Sequence, residues 1–302
     1  MVPAGPRSFA LLLFFVVTPC AFAQATPSPA DFPFAGPDWR WSAPRDLTPP
    51  ELVQGLGGAG VVAASSGTEM LAVWPSWKRI VATRIAADGT VLDSPIVLGT
   101  RAASMPLAYN HLSPRVAWNG ERYLVVWQKD WFAAEGQFVA RDGSLIGGPI
   151  ELPGDTFGGN LYLASNGETF LLASGSPVVL ALIAGDGWVY RIPAEIDAAG
   201  VTAIASDGED YLLLVSGPPG GNGPSQSFRI SRSGSILTTN PLAPPEWSSA
   251  AWLGAHYLAV HEGSESLSRL DRDGRPLGEP LRFGQPFTNA EVASLGGGAA
   301  LV

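Results

Sequence analysis

Cysteine is almost missing from this sequence: its 302 residues hold one, Cys20. That residue lies within the first 23, where Arg7 precedes the apolar run FALLLFFVV (9–17) and AFA (21–23) offers small residues at both positions a signal peptidase inspects. Residues 1–23 are therefore read as an export signal cleaved after Ala23, followed by a flexible segment over 24–37, and the chain is expected to be secreted or periplasmic. A transmembrane anchor would need about 20 apolar residues, roughly twice this run. Lipid attachment at Cys20 is a second rival, disfavoured by Pro19. Cleavage discards the cysteine, so neither disulfides nor thiolate metal sites contribute to the mature fold, and core packing must suffice.

Lysine is nearly as scarce, with only Lys78 and Lys129, and charged residues make up 15% of the chain. The formal charge is −9, from 18 basic and 27 acidic residues, and loss of Arg7 with the signal makes it −10. Such a surface is poorly suited to phosphate backbones or anionic lipid. No nucleic acid partner is expected, and no membrane span after signal cleavage. The sequence also lacks a G-x-S-x-G element, a P-loop, H-E-x-x-H and the S-x-D-x-G-x-T-W box. No cofactor and no metal site are expected. What it has in quantity is hydrophobic residues, 46%, with 36 Gly and 27 Pro. Gly and Pro together make about a fifth of the chain, under the roughly 25–30% that signals disorder.

One pattern recurs along the chain. Aligned on a glycine it reads VVAASSGTEMLAVW (61–74), RVAWNGERYLVVW (115–127), LYLASNGETFLLAS (161–174), TAIASDGEDYLLLV (202–215) and SAAWLGAHYLAVH (249–261), with a partial sixth copy, AEVASLGGGAALV (290–302). The glycines are Gly67, Gly120, Gly167, Gly208, Gly254 and Gly296. An alanine stands three residues before each: Ala64, Ala117, Ala164, Ala205, Ala251 and Ala293. Three residues after the first five glycines stand Met70, Tyr123, Phe170, Tyr211 and Tyr257. Asn-Gly or Asp-Gly between alternating apolar runs is a strong hairpin signal. A small residue once per unit suggests strands crowded where units converge.

A second turn follows in every complete copy: Asp88-Gly89, Asp142-Gly143, Asp186-Gly187, Ser233-Gly234 and Asp273-Gly274. Beyond it come Pro95, Pro149, Pro193, Pro241 and Pro280. Proline lacks the donor for a central ladder and belongs on an edge strand. Each unit is thus predicted to be four antiparallel strands, alanine marking the inner edge and proline the outer, repeated every 41 to 53 residues from glycine to glycine. That is the pattern of β-propeller blades; a β-sandwich is the structural rival. The units also resemble the tandem blades, with a core of the form A-x-[ND]-G-x-x-Y-L-V-x-W and a later D-G turn, of secreted bacterial propeller proteins of largely unassigned function. The resemblance spans residues 58–302 and implies architecture alone.

The expected fold is an all-β propeller over residues 38–302, with blades near 58–100, 114–154, 160–200, 201–245 and 248–285 and a partial one over 289–302. Residues 39–55, WRWSAPRDLTPPELVQG, are expected to supply outer strands to the last blade and close a six-bladed ring. The alternative is a fragment of a longer repeat protein.

Both turns of fixed chemistry fall at one end of the blades. Loops of very different length collect at the other: WPSWK (74–78), WQKDWFAAE (127–135), SGPPGGNGPSQ (216–226) and GTRAASMPLAYNHLSP (99–114). Insertions in repeat proteins gather on one face, often the binding face. Trp74, Trp77, Trp127 and Trp131 lie in or beside two of these loops and, if exposed, would stack on sugar rings or anchor a peptide. Packing between blades is the competing reading for Trp74 and Trp127. His261 and Glu262 stand where other blades have Trp74 and Trp127, and an imidazole beside a carboxylate is acid–base equipment; the alternative is a solvated loop end. DRDGRPLGE (271–279) lacks the carboxylates of a calcium loop at the required spacing and is read as a hairpin. The expected function is a binding propeller for a polysaccharide or an extracellular protein. The alternative is a carbohydrate-active or lactonase-like enzyme at the channel mouth, which needs converging carboxylates or a metal.

Overall fold

The structure, a computed structural model, describes residues 60–76, 78–100, 114–130, 133–152, 160–175, 177–218, 223–242, 247–261, 266–282, 292–294 and 299–301. The expected export signal, the segment 24–37 and the closing stretch 39–55 lie outside these residues.

Each complete repeat forms a four-stranded antiparallel sheet in which every strand pairs with its neighbours in sequence. The first is β1 (Val62–Ser65), β2 (Glu69–Ser76), β3 (Arg79–Ala86) and β4 (Ile96–Thr100). The second is β5 (Arg115–Trp118), β6 (Arg122–Gln128), β7 (Ala134–Ala140) and β8 (Leu145–Leu152). The third is β9 (Leu161–Ser165), β10 (Phe170–Ser174), β11 (Val179–Ile183) and β12 (Val189–Ile192). The fourth is β13 (Val201–Ser206), β14 (Tyr211–Val215), β15 (Ser225–Ile230) and β16 (Ile236–Leu242). The fifth is β17 (Trp247–Trp252), β18 (Tyr257–His261), β19 (Ser266–Leu270) and β20 (Leu281–Arg282). A two-stranded sheet of β21 (Val292–Ser294) and β22 (Ala299–Leu301) follows. The described residues contain no helix.

The first strands β1, β5, β9, β13, β17 and β21 touch one another in that order. Five sheets joined in succession through their first strands converge on a common axis, which is not the two-layer arrangement of a sandwich. Prolines 149 and 241 sit in the outermost strands β8 and β16, as a residue without a donor requires.

The ten glycines of the paired turns in the five sheets all have φ between +84° and +95°, a region closed to most side chains. Their chemistry is therefore imposed by the backbone, which is why it repeats. In the first turn of the second blade four residues separate the paired Trp118 and Tyr123: Asn119 N–H donates to the carbonyl of Arg122 at 3.1 Å, while Arg122 N–H turns to the Asn119 side chain, which is folded into the turn.

The core lies between blades. Leu71, Val73, Ile80, Ala82 and Leu98 of the first blade meet Tyr123, Val125, Trp127 and Val139 of the second; equivalent clusters join the second to the third, the third to the fourth and the fourth to the fifth. Tyr123, Phe170, Tyr211 and Tyr257 are at most 1% exposed. Each such ring contributes roughly 2 to 3 kcal/mol of burial free energy. Ala117, Ala164, Ala205 and Ala251 are also buried, the small residues on which the inner strands close.

Candidate functional site

The two ends of the blades differ in what their polar groups do. At the end bearing the glycine turns, those groups are consumed between blades. Arg84 of the first blade donates to the carbonyl of Arg141 in the second at 3.0 Å, and Arg122 of the second to the carbonyl of Gly185 in the third at 2.9 Å. Arg229 of the fourth blade bonds Asp273 of the fifth at 3.0 Å, while Arg272 of the fifth pairs with Asp207 and Glu209 of the fourth. The Tyr211 hydroxyl meets Thr169 Oγ1 at 2.9 Å, and burial raises its pKa. A surface so cross-linked is a fastening between blades.

At the opposite end strand two of every blade terminates, and there the sequence places its site candidates. Trp127 is fully buried, its Nε1 donating to the carbonyl of Thr100 at 3.4 Å. It lies against Gly99, where an added Cβ would come within 2.3 Å of its Cζ2. Trp74 is 3% exposed, among Ala72, Val81 and Ile85. Neither ring is displayed to solvent, so in place of a stacking surface they form the packed base of this end. Trp77, Trp131 and Glu262 lie outside the described residues.

His261 occupies neither a solvated loop end nor an open acid–base site. It is 4% exposed, between the fourth and fifth blades, with Nε2 2.8 Å from Ser268 Oγ and its ring 4.1 Å from that of Trp247, its partner across β17 and β18. Burial pushes its pKa down to about 4, so the imidazole is neutral at ordinary pH. Its Nδ1 and Trp247 Nε1 are enclosed without a hydrogen-bond partner among the described residues.

Two features of this end escape the sequence reading. Glu135 and Glu151 face each other across β7 and β8, a repulsive pairing relieved by Lys129, 2.5 Å from Glu135 Oε1. The hydrogen bond to Glu135, then its charge, raises the Lys129 pKa, and the three line a cleft with Ala133, Ala134 and Leu152. The second is Arg115, the one charged residue on the described inner strands. It donates from Nε to the carbonyl of Leu161 at 2.7 Å and lies over the Tyr162 ring, 5.7 Å from its centroid. Scarcity was the available signal for Lys129, one of two lysines. Among the described residues no three His, Cys, Asp or Glu side chains are placed to share a metal ion.

No protein-family profile matches the sequence, and no curated protein is similar to it. Solved structures are similar in fold. A catalytically inactive variant of virginiamycin B lyase from Staphylococcus aureus with quinupristin superposes with a TM-score of 0.57 at 16% identity, over 82% of this chain and 78% of that one. The chain is a β-propeller. The β-propeller domain of the Trilobed protease from Pyrococcus furiosus gives a TM-score of 0.49 at 13% identity, over 76% of this chain and 70% of that one. At such identities the likeness is one of architecture, and chemistry has to be argued from the residues of this propeller.

Proposed function

We propose that this chain is an exported propeller, secreted or periplasmic, that binds a polysaccharide or an extracellular protein through the end bearing the variable loops. The contrast between the two ends carries this reading. Polar groups at the turn end are spent on neighbouring blades, as with Arg84, Arg122, Arg229 and Arg272, whereas loops at the opposite end differ in length and composition from blade to blade. A rigid frame with variable loops at one end is how repeat folds carry recognition. Trp77 and Trp131, with Glu262, are the proposed contact residues. Trp74, Trp127 and His261, buried near the ends of their strands, are packing residues in this reading. The acidic charge selects against anionic lipid and nucleic acid.

The test is binding of the purified protein, without residues 1–23, to arrayed bacterial and plant polysaccharides, with Trp77→Ala/Trp131→Ala as paired control. Binding lost in the double variant establishes a glycan-reading loop end. Absence of binding by folded protein transfers the reading to a protein partner, and release of new reducing ends would identify an enzyme.

A further inference from the structure

The third blade departs from its siblings in one place. Immediately after the glycine of the second turn, the other blades carry Thr90, Ser144, Ser235 and Arg275, and two residues further on Leu92, Ile146, Leu237 and Leu277; the third carries Trp188 and Tyr190. Blade packing therefore does not demand aromatic rings here. Trp188 is 63% exposed, the highest value among the large apolar side chains described, and Tyr190 is 37% exposed. Their rings are 5.6 Å apart and 9° from parallel, as residues two apart on one side of a strand permit. Tyr190 covers one face of the indole and holds it in place, leaving the other face to solvent.

The mount is rigid. β12 pairs with β11 from Ile183↔Val189 to Leu180↔Ile192. The turn before it is pinned by Trp188 N–H donating to Asp186 Oδ1 at 3.0 Å and Ala184 N–H donating to the Trp188 carbonyl at 2.9 Å. Tyr190 pairs with Leu182 and shares its side of the strand with Ile192, both in the core between the third and fourth blades. The two rings thus stand at the outer mouth of the groove between those blades. Gly234, in the second turn of the fourth blade, rests against Ile192 and Leu182. That turn puts Ser233 and Ser235, both exposed, on the other wall.

We propose that this ledge is a second binding surface, which takes a pyranose ring of a neutral or amino-substituted glycan. The open indole face suits the flat C–H side of a sugar while its N–H edge remains available for a hydrogen bond, and the facing turn exposes Ser235 and Ser233, the latter's hydroxyl 2.9 Å from Ser231 Oγ. Asp186 sits beside Trp188 on a chain of net charge −9, and Arg232, the cation of the facing turn, is paired with Glu168 at 3.7 Å, so the surroundings disfavour uronates and sulfated sugars. A ring already immobilised by Tyr190 loses little freedom on binding. The ledge is at the outer rim near the turn end, so it is independent of the loop end, and one polymer engaging both would gain avidity.

The test is calorimetric titration of the purified protein with cellohexaose, chitohexaose and hexagalacturonate, using Trp188→Ala, Tyr190→Ala and Trp77→Ala/Trp131→Ala. Unchanged melting temperatures certify folding of the two ledge variants. The expected result is saturable binding of a neutral or amino-sugar oligomer that weakens about tenfold or more in Trp188→Ala, weakens less in Tyr190→Ala, and persists in the Trp77/Trp131 variant. An unchanged dissociation constant in Trp188→Ala, binding of the uronate alone, or binding of none of the three overturns the ledge. Loss in the Trp77/Trp131 variant with Trp188→Ala unaffected overturns it while sustaining the loop end as the binding face.

Discussion

The side-chain amide of Asn119, in the first turn of the second blade, donates to the main-chain carbonyl of Glu168 in the first turn of the third, 3.2 Å away. Its Oδ1 accepts from the N–H groups of Glu121 and Arg122 at 3.1 and 2.9 Å. One buried side chain thus closes its own turn and fastens it to the next blade. Asn166 repeats both contacts, its amide reaching the Glu209 carbonyl at 3.0 Å. In the fourth blade the position is Asp207, which keeps the turn bonds to Glu209 and Asp210 but has no amide to give. There the link is made from the other side, by Arg272 of the fifth blade.

Asn119→Asp separates these two roles. The carboxylate retains the acceptor for Glu121 and Arg122, loses the donor to Glu168, and faces a carbonyl without the arginine that Asp207 has. We expect a loss of about 1 to 3 kcal/mol in denaturant unfolding, and a larger loss in Asn119→Ala, which forfeits the turn bonds as well. Stability equal to the native protein in Asn119→Asp would mean that the blade-to-blade bond contributes nothing.

Gly208 and Gly274 have nearly the same backbone, φ +90° and +84°, but different surroundings. A Cβ on Gly208 would meet nothing within 4 Å, whereas one on Gly274 would lie 2.5 Å from Ser227 Oγ and 2.8 Å from Leu212 Cδ1. Both alanine variants bear the left-handed penalty of about 1 kcal/mol. Only Gly274→Ala must also push its turn off the fourth blade and stretch the bond from Ser227 Oγ to the Gly274 carbonyl, now 3.0 Å, for a total of about 3 kcal/mol or more. Equal losses in chemical denaturation would assign the whole effect to backbone strain.

What is legible in the sequence follows from which constraints repeat. The turn glycines, the inner alanines and the aromatic column are each required once per blade by local backbone or by the same packing contact, so they form columns. The residues seven places after the turn glycine do not: Trp74 and Trp127 share an indole with each other, but nothing chemical unites them with Ser174, Val215 and His261, yet none of the five is more than 4% exposed. Their common environment is made by compensation elsewhere, as Gly99 makes room for Trp127 and Ser268 receives His261, and such pairings leave no period to read. For the same reason the second role of Asn119 is hidden: an Asn-Gly pair announces a turn but not the carbonyl its amide will find. Trp188 could be told from a core tryptophan only once β12 was seen to be an outer edge.

His261 gives the stability of the fold a pH dependence whose sign its burial determines. An imidazole in the unfolded chain titrates near 6.5, while burial between the fourth and fifth blades pushes the folded value down to about 4. Between those pH values the unfolded state binds a proton that the folded state refuses. The contribution is therefore fully present above about pH 6.5 and is lost progressively as pH falls toward 4, below which both states are protonated. A displacement of that size corresponds to about 3 kcal/mol. Asp207 does not blur the window: burial works to raise its pKa, but Arg272 and the N–H groups of Asp210 and Glu209 outweigh it and hold it below the usual 3.8, so its contribution fades only under more acid conditions. Guanidinium unfolding between pH 7.5 and 4.5 should therefore show a fall of about 2 to 3 kcal/mol in the native protein. His261→Gln, which retains a polar partner for Ser268 without the titration, should show a much smaller one. Parallel declines in the two proteins would place the acid sensitivity outside the junction between the fourth and fifth blades.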